Sequence, residues 1–300
     1  MRVNTDMIPD ILAYLQQSQS SLNTALQEVS TGKSVNQPSD NPAAAAQMVG
    51  NTVETANVDQ YSQNVSGVLS MVQTADSALS SVVSSLTQAV SLGTEGANGT
   101  NNSSDQQAIA QQVQGILSSV ISQANSTYNG SYLFGGTASS AAPFSADSSS
   151  STGYTYNGNS DTNSVAIGDN ATVQANVPGS QIFLNSSGSV IGALSSLVSA
   201  LKSGNTSDIE TATNAVSTAM SVVSQQRETY SNSESQLNSQ ETYLQQETVT
   251  LSSQQTSLVG VDEAQAATLL AQAETDNTAA LAAASKVLPL SLINYLATPS

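Results

Sequence analysis

Residues 223–258 read VSQQRETYSNSESQLNSQETYLQQETVTLSSQQTSL, and within them Val223, Tyr230, Leu237, Leu244, Leu251 and Leu258 recur every seven positions. A strict seven-residue apolar repeat keeps one side of a helix turned toward a partner helix, which is the signature of a coiled coil. At ~1.5 Å per residue such a helix extends over roughly 50 Å, too long for one small compact domain. Its seam is thin. Three positions further on stand Gln226, Ser233, Gln240, Glu247 and Gln254, so each heptad supplies one good apolar residue instead of two. The helix therefore needs apolar surface from elsewhere.

A matching row lies near the other end of the chain, at Ile8, Leu15, Leu22 and Val29, widened by Ile11, Leu12, Ala25 and Leu26. The two rows read as partners, which brings the chain's ends together and sets its middle apart. The expected fold is mainly α: an elongated antiparallel helical bundle or coiled coil formed by both chain ends, with a small inserted β domain. Residues 1–44 with 256–300 are expected to form a terminal-helix assembly domain, 45–130 with 190–255 a helical rod, and 131–189 a β-rich outer domain.

Composition excludes several function classes. The net charge is −17, and the five cations, Arg2, Lys33, Lys202, Arg227 and Lys286, form no patch. Nucleic acid and anionic membranes are therefore not expected partners. No run of 18 apolar residues occurs, so no segment reads as a bilayer span. The opening Met1-Arg2-Val3-Asn4-Thr5-Asp6 lacks the apolar segment of a cleaved signal peptide. With no cysteine and no histidine, disulfides, thiolate chemistry, His-ligated metals and His-based catalysis all fall away.

Along the chain, a helix over 6–30 is expected to stop at Thr31-Gly32. Asp40-Asn41-Pro42 opens the next, with Asn41 as cap and Pro42 at the first helical position, running to about Tyr61 or beyond. Two apolar rows follow, Val65/Val72/Leu79/Leu86 and Val68/Ala75/Val82/Ala89, giving a wide self-sufficient face. Gly93 to Asn102 reads as a loop. Asp105 then caps a helix to about Ala124, with Ile109, Val113, Ile116, Leu117, Val120 and Ile121 inward. From Ser131 to Gly188 the pattern changes to short alternating runs at 154–156, 165–167 and 181–184, separated by turn residues. Ser139 to Thr152, with seven serines, reads as a surface loop. Helix returns at Val190 and ends at Gly204, and Ser207 or Asp208 opens the long helix quoted first. Gly260-Val261-Asp262 reads as a hinge before an alanine-rich helix, Ala264 to Ala284, and an apolar tip at Leu288, Leu292, Ile293 and Leu296.

Catalytic patterns dissolve on inspection. Ser30-Thr31-Gly32-Lys33 and Ser39-Asp40-Asn41 match the S-x-x-K and S-D-N elements of serine acyl-enzymes, but they lie a few residues apart and no Lys-Thr-Gly exists. They read as helix stop, linker and cap. Asp161-Thr162-Asn163 begins like a calcium loop, then Val165 and the missing closing glutamate break the pattern. No catalytic, cofactor-binding or metal-ligating residue is expected. The residues expected to carry function are those of an assembly interface: Ile8, Leu15, Leu22, Val29, Leu237, Leu244, Leu251, Leu258, Leu288, Leu292 and Leu296.

The run Ser30-Thr31-Gly32-Lys33-Ser34-Val35-Asn36-Gln37-Pro38-Ser39-Asp40-Asn41-Pro42-Ala43 resembles the "s-T-G-k-r-i-n-x-p-S-D-D-P-a" motif of the flagellin superfamily, departing at Ser34 and Asn41. Arg227 to Leu237, Asp262-Glu263-Ala264 and the closing Ser291-Leu292-Ile293-Asn294-Tyr295-Leu296 agree with it. Within the superfamily, Arg2-Val3-Asn4-Thr5-Asp6-Met7 and Asn129-Gly130-Ser131-Tyr132-Leu133-Phe134-Gly135-Gly136-Thr137 are more similar to the hook–filament junction proteins than to the flagellins. The resemblance implies a structural protein secreted to the bacterial flagellum by type III export and self-associating in a ring, between a hook-side junction protein and flagellin. It also implies terminal helices forming an inner tube and a cytoplasmic export chaperone on the C-terminal helix near Leu288 to Leu296. A filament subunit is the neighbouring alternative. A secreted adhesin or type III translocator, with a ligand-binding β domain, is the alternative of another class.

Overall fold

The computed structural model describes residues 7–296, and their side chains from 9 to 286. The elements are α1 (Met7–Thr31), α2 (Pro42–Gly96), α3 (Ser103–Ala124), β1 (Thr127–Tyr128), β2 (Ser131–Tyr132), β3 (Phe144–Ala146), β4 (Tyr154–Tyr156), β5 (Ser164–Gly168), β6 (Ala171–Gln174), α4 (Gly179–Phe183), α5 (Val190–Ser203), α6 (Thr206–Val259) and α7 (Glu263–Leu296). The fold is thus mainly α, with both chain ends helical and a small β region between them. The chain divides into two compact units, residues 58–246 and residues 1–57 with 247–300.

In the 58–246 unit the double row on α2 is buried throughout, with Val65, Val72, Leu79, Leu86, Val82 and Ala89 fully enclosed. The thin seam of α6 meets this wide face: Val223, Tyr230, Leu237 and Leu244 are all buried. Cross-links fix α6 antiparallel to α2. The Arg227 guanidinium grips Asp76 through two bonds of 2.9 and 3.0 Å, and Gln73 donates to Glu234 at 3.0 Å. The partner of the seam in this unit is therefore α2 of the same chain, because two apolar rows on one helix supply what a single row on the other lacks.

Local expectations shift in places, each for a packing reason. Helix α2 runs on to Gly96 where a loop was expected from Gly93. The two glycines are contact points, since a Cβ on Gly93 would meet Thr213 and one on Gly96 would meet Leu201. Asn102, not Asp105, is the N-cap of α3: its side chain accepts from Ser104 and Asp105 amides at 2.8 and 3.0 Å. Asp105 returns a bond to the Asn102 amide at 3.4 Å, completing a capping box.

The β region is three separate two-stranded antiparallel ladders, β1–β2, β3–β4 and β5–β6. Asn129 (φ 48°) and Gly130 (φ 81°) both adopt left-handed conformations between β1 and β2, as a tight two-residue hairpin with the strands' own twist demands. Residues 181–184, expected as a strand, instead fall largely in α4. Ile182 and Phe183 are adjacent and both fully buried, which the alternating sides of a strand do not allow against a single core. The chain's three phenylalanines make that core, Phe134 and Phe144 each meeting Phe183 edge-on at 5.5 Å. Phe144 also anchors β3 inside the serine-rich stretch expected as a loop.

Tyr230 joins the helical seam to the β region. It takes a seam position otherwise held by leucine or valine, and its buried hydroxyl accepts the Val177 amide at 3.1 Å. Burial pushes its phenol above the ordinary range. In the unfolded chain the phenol ionises near ~10, so this contribution is intact below that pH and lost as pH rises above it. Tyr230→Phe leaves the Val177 amide unpaired and is expected to cost about 1–3 kcal/mol at pH 7 in denaturant unfolding. The same variant should show a shallower loss of stability than the wild type between about pH 10 and 12.

Candidate assembly surface

The unit formed by residues 1–57 and 247–300 is built on different chemistry. Its closest helix contact pairs α1 antiparallel with α7, and the buried positions are small or polar. On α1 these are Ser18 and Ala25; on α7 they are Ala266, Asn277 and Ala284. Asn277 donates to Ser18 Oγ at 3.4 Å. Small side chains let the two helices approach closely, but they bury little apolar area, at roughly 25 cal/mol per Å². The partner of the N-terminal helix is thus the alanine-rich α7, while Leu251 of α6 lies beside α2 in this unit, where the Asn51 side chain donates to Leu251 O at 3.1 Å.

At one end the pair is tied by backbone. The Ser34 amide donates to Val259 O at 2.8 Å and the Val261 amide to Gly32 O at 3.2 Å, around a bridge between Lys33 and Gly260. The segment that imitated a serine acyl-enzyme forms this joint. Gly32 takes φ +67° beyond the helix end. The Asp40 carboxylate accepts the Asn36 and Gln37 amides at 3.0 and 2.8 Å, and Asn41 Oδ1 accepts the Ala44 amide at 3.1 Å. These bonds shape the linker and cap α2. Asp262 repeats the device at α7, its carboxylate taking the Ala264 and Gln265 amides at 2.9 and 3.1 Å.

The residues expected at an interface divide by burial. Leu237, Leu244 and Leu251 are buried within their own units. Leu258 is half-buried, and the neighbouring Val259 takes the enclosed place as the seven-residue row slips by one position near the end of α6. Leu15 and Leu22 are half-buried and Val29 is 44% exposed. The side chains of Ile8, Leu288, Leu292 and Leu296 lie outside the described residues. Eleven large apolar side chains are exposed among the described residues, and nine of them belong to this unit: Leu12, Tyr14, Leu26, Val29, Val49, Val53, Val249, Leu269 and Leu281. Val49 and Val53 escaped notice in the sequence. With Ala46 and Ala56 they form a second heptad-spaced row on α2, beside the inner row Ala44, Met48, Asn51, Thr55 and Val58. Two interleaved rows on one helix are the signal that could have found them.

Nothing in the described residues favours a chemical site. No group of three or more acidic side chains is placed to hold a metal ion, and no helix is long and apolar enough to cross a membrane. What the unit offers is exposed apolar side chains; where such side chains join into a patch they mark protein contacts.

Comparison with known proteins gives this surface a context. Residues 3–139 match the bacterial flagellin N-terminal helical region. The chain is 34% identical over 146 residues to flagellar hook-associated protein 3 of Salmonella typhimurium, covering 48% of this chain and 46% of that protein. It is 30% identical over 144 residues to a flagellin of Listeria innocua, covering 47% and 50% respectively. The match thus spans about half the length of each curated relative. The crystal structure of FlgL from Bacillus cereus shares the fold, with a TM-score of 0.60 at 21% identity, over 69% of this chain and 99% of that one.

The alanine-lined α1–α7 contact buries less than the double-rowed α2–α6 seam, so local opening should separate them. In the isolated subunit, amides of residues 9–29 are expected to exchange at least ~100-fold faster than those of residues 65–89, measured by hydrogen exchange with mass spectrometry. Equal protection of the two segments would contradict this.

Proposed function

Because the chain is a relative of the flagellins and flagellar hook-associated proteins through residues 3–139, we propose that it is a structural subunit of the bacterial flagellum at the junction between hook and filament. It is not an enzyme. It self-associates in a ring, contacts a hook-side junction protein below and flagellin above, and reaches this place by type III export. The single observation that carries the assembly reading is the concentration of exposed large apolar side chains on the unit made of both chain ends. The interface is drawn from Leu15, Leu22 and Val29 with Leu12 and Leu26 beside them. Leu237, Leu244 and Leu251 serve to hold the chain's own helices. A cytoplasmic export chaperone covers the C-terminal helix around Leu288 to Leu296 before export.

A filament subunit is the second reading, favoured by the likeness to the Listeria flagellin. Deleting the gene separates the two. Cells that keep hooks but shed intact flagellin into the medium support the junction role; loss of the filament protein itself supports the filament role.

An antibody to the chain, imaged by electron microscopy on sheared flagella, is expected to label one band where hook meets filament. Label along the filament, or none, would overturn the junction reading. Leu26→Glu changes an exposed position and should alter stability by no more than about 0.5 kcal/mol. It is expected to be exported at the wild-type level and yet be absent from flagella, as read by immunoblot of culture medium and of purified flagella.

A further inference from the structure

The α1–α7 pair has two unlike sides. At ~100° per residue, Leu15, Leu22 and Leu26 stand roughly 40–80° to one side of the line through half-buried Ile11 and buried Ser18 and Ala25. Tyr14, Ser21 and Glu28 stand roughly 40–80° to the other. On the first side the leucines project as a ridge, with Leu12 50% and Leu26 46% exposed. On the second side lies an open groove of about 900 Å³ between the helices, floored by Ser18, Ala25, Ala273 and Ala280 and rimmed by Tyr14 and Leu269. One side offers large apolar side chains without a socket, and the other a socket floored by small ones between larger rims.

We infer that the leucine ridge of one copy of this chain seats in the alanine-floored groove of a second copy. This rests on the self-association proposed above and specifies its geometry. Three observations choose a second copy as the occupant. Size is complementary, large against small, which is what packing of one helix surface on another requires. Charge is compatible: the groove carries Glu28 and Asp276 at its edges, while residues 11–27 of α1 contain no charged side chain at all, so the ridge brings no carboxylate to repel them. In a chain of net charge −17 such a neutral stretch suits contact between like copies. Lastly, ridge and groove lie on opposite sides of one helix pair. Each copy filled on one side still offers the other, and a head-to-tail contact of this kind propagates into a ring or helical row, whereas a ridge-to-ridge contact stops at two.

The absence of cysteine makes the contact directly readable. Cells lacking the native gene would co-express Leu22→Cys and Ala273→Cys forms carrying different tags, and their flagella would be oxidised and run without reductant. The expected product is a disulfide dimer containing both tags, at least tenfold above the same-tag dimers formed when either variant is expressed alone. Predominant Leu22→Cys homodimers would mean a two-fold ridge contact and overturn the inference, as would incorporation of both variants with no mixed dimer. If the cysteine variants do not incorporate, a second pair decides. Ala280→Trp fills the groove and should fall at least tenfold in flagella while remaining folded and exported. Ser239→Trp, on an exposed polar position of α6, should be retained. Normal incorporation of Ala280→Trp overturns the ridge-and-groove contact. Wild-type chain missing from flagella altogether would sink the proposed function itself, and the inference with it.

Discussion

The structure depends on an imbalance between two helices. Helix α6 has 54 residues, and from Val223 to Leu258 it has one apolar seam residue per heptad; at that density it cannot offset the ordering cost of ~1–2 kcal/mol per residue. Helix α2, with 55 residues, carries two apolar rows, and from Val65 to Ala89 both are buried. The antiparallel pairing in the 58–246 unit lends the surplus of one helix to the deficit of the other. Arg227 against Asp76, and Tyr230 beneath Val177, then fix rotation and register where apolar contact alone would permit sliding. The β region is attached to the same frame. Gln240 donates to Ile167 O and Asn64 to Ala166 O, so both long helices hold the β5–β6 hairpin.

The unit containing the two chain ends follows the opposite economy. Between α1 and α7, alanine, serine and asparagine occupy the places that leucine and valine hold in the other unit, and the leucines of α1 stand on the flank of the helix pair. A helix pair closed by small residues approaches closely but buries little apolar area between its members. This is the physical link between sequence and the proposed role. The same choice of residues that puts small side chains between α1 and α7 leaves larger apolar ones exposed on the pair, which the proposed assembly would bury. The polar joint around Lys33 and Gly260 keeps the two helices adjacent without adding to that burial.

Electrostatics set a condition on any such contact. Acidic residues outnumber basic ones 22 to 5, so copies repel at distance, and Debye screening over ~8 Å at physiological salt only partly relieves this. In the proposed contact, the stretch of α1 without charge from residue 11 to 27 is where like chains would meet at least cost. In the turns, carboxylates such as Asp40 and Asp262 are occupied with backbone amides.

Periodicity by itself determined the long helices, the apolar rows of α2 and α3 and the helical character of both ends, because seven-residue spacing is a local fact. The linker at Ser30 to Asn41 was equally legible, since each residue answers the needs of its own backbone. Only the tertiary structure decided which row meets which. Leucine rows at Leu15/Leu22 and at Leu237/Leu244 are alike in spacing, and pattern alone matched them to each other. The fold gave α6 to α2 and α1 to α7, because helix pairing is settled by how much area two faces bury together and how closely their smallest side chains let them approach. Neither quantity is carried by one helix alone.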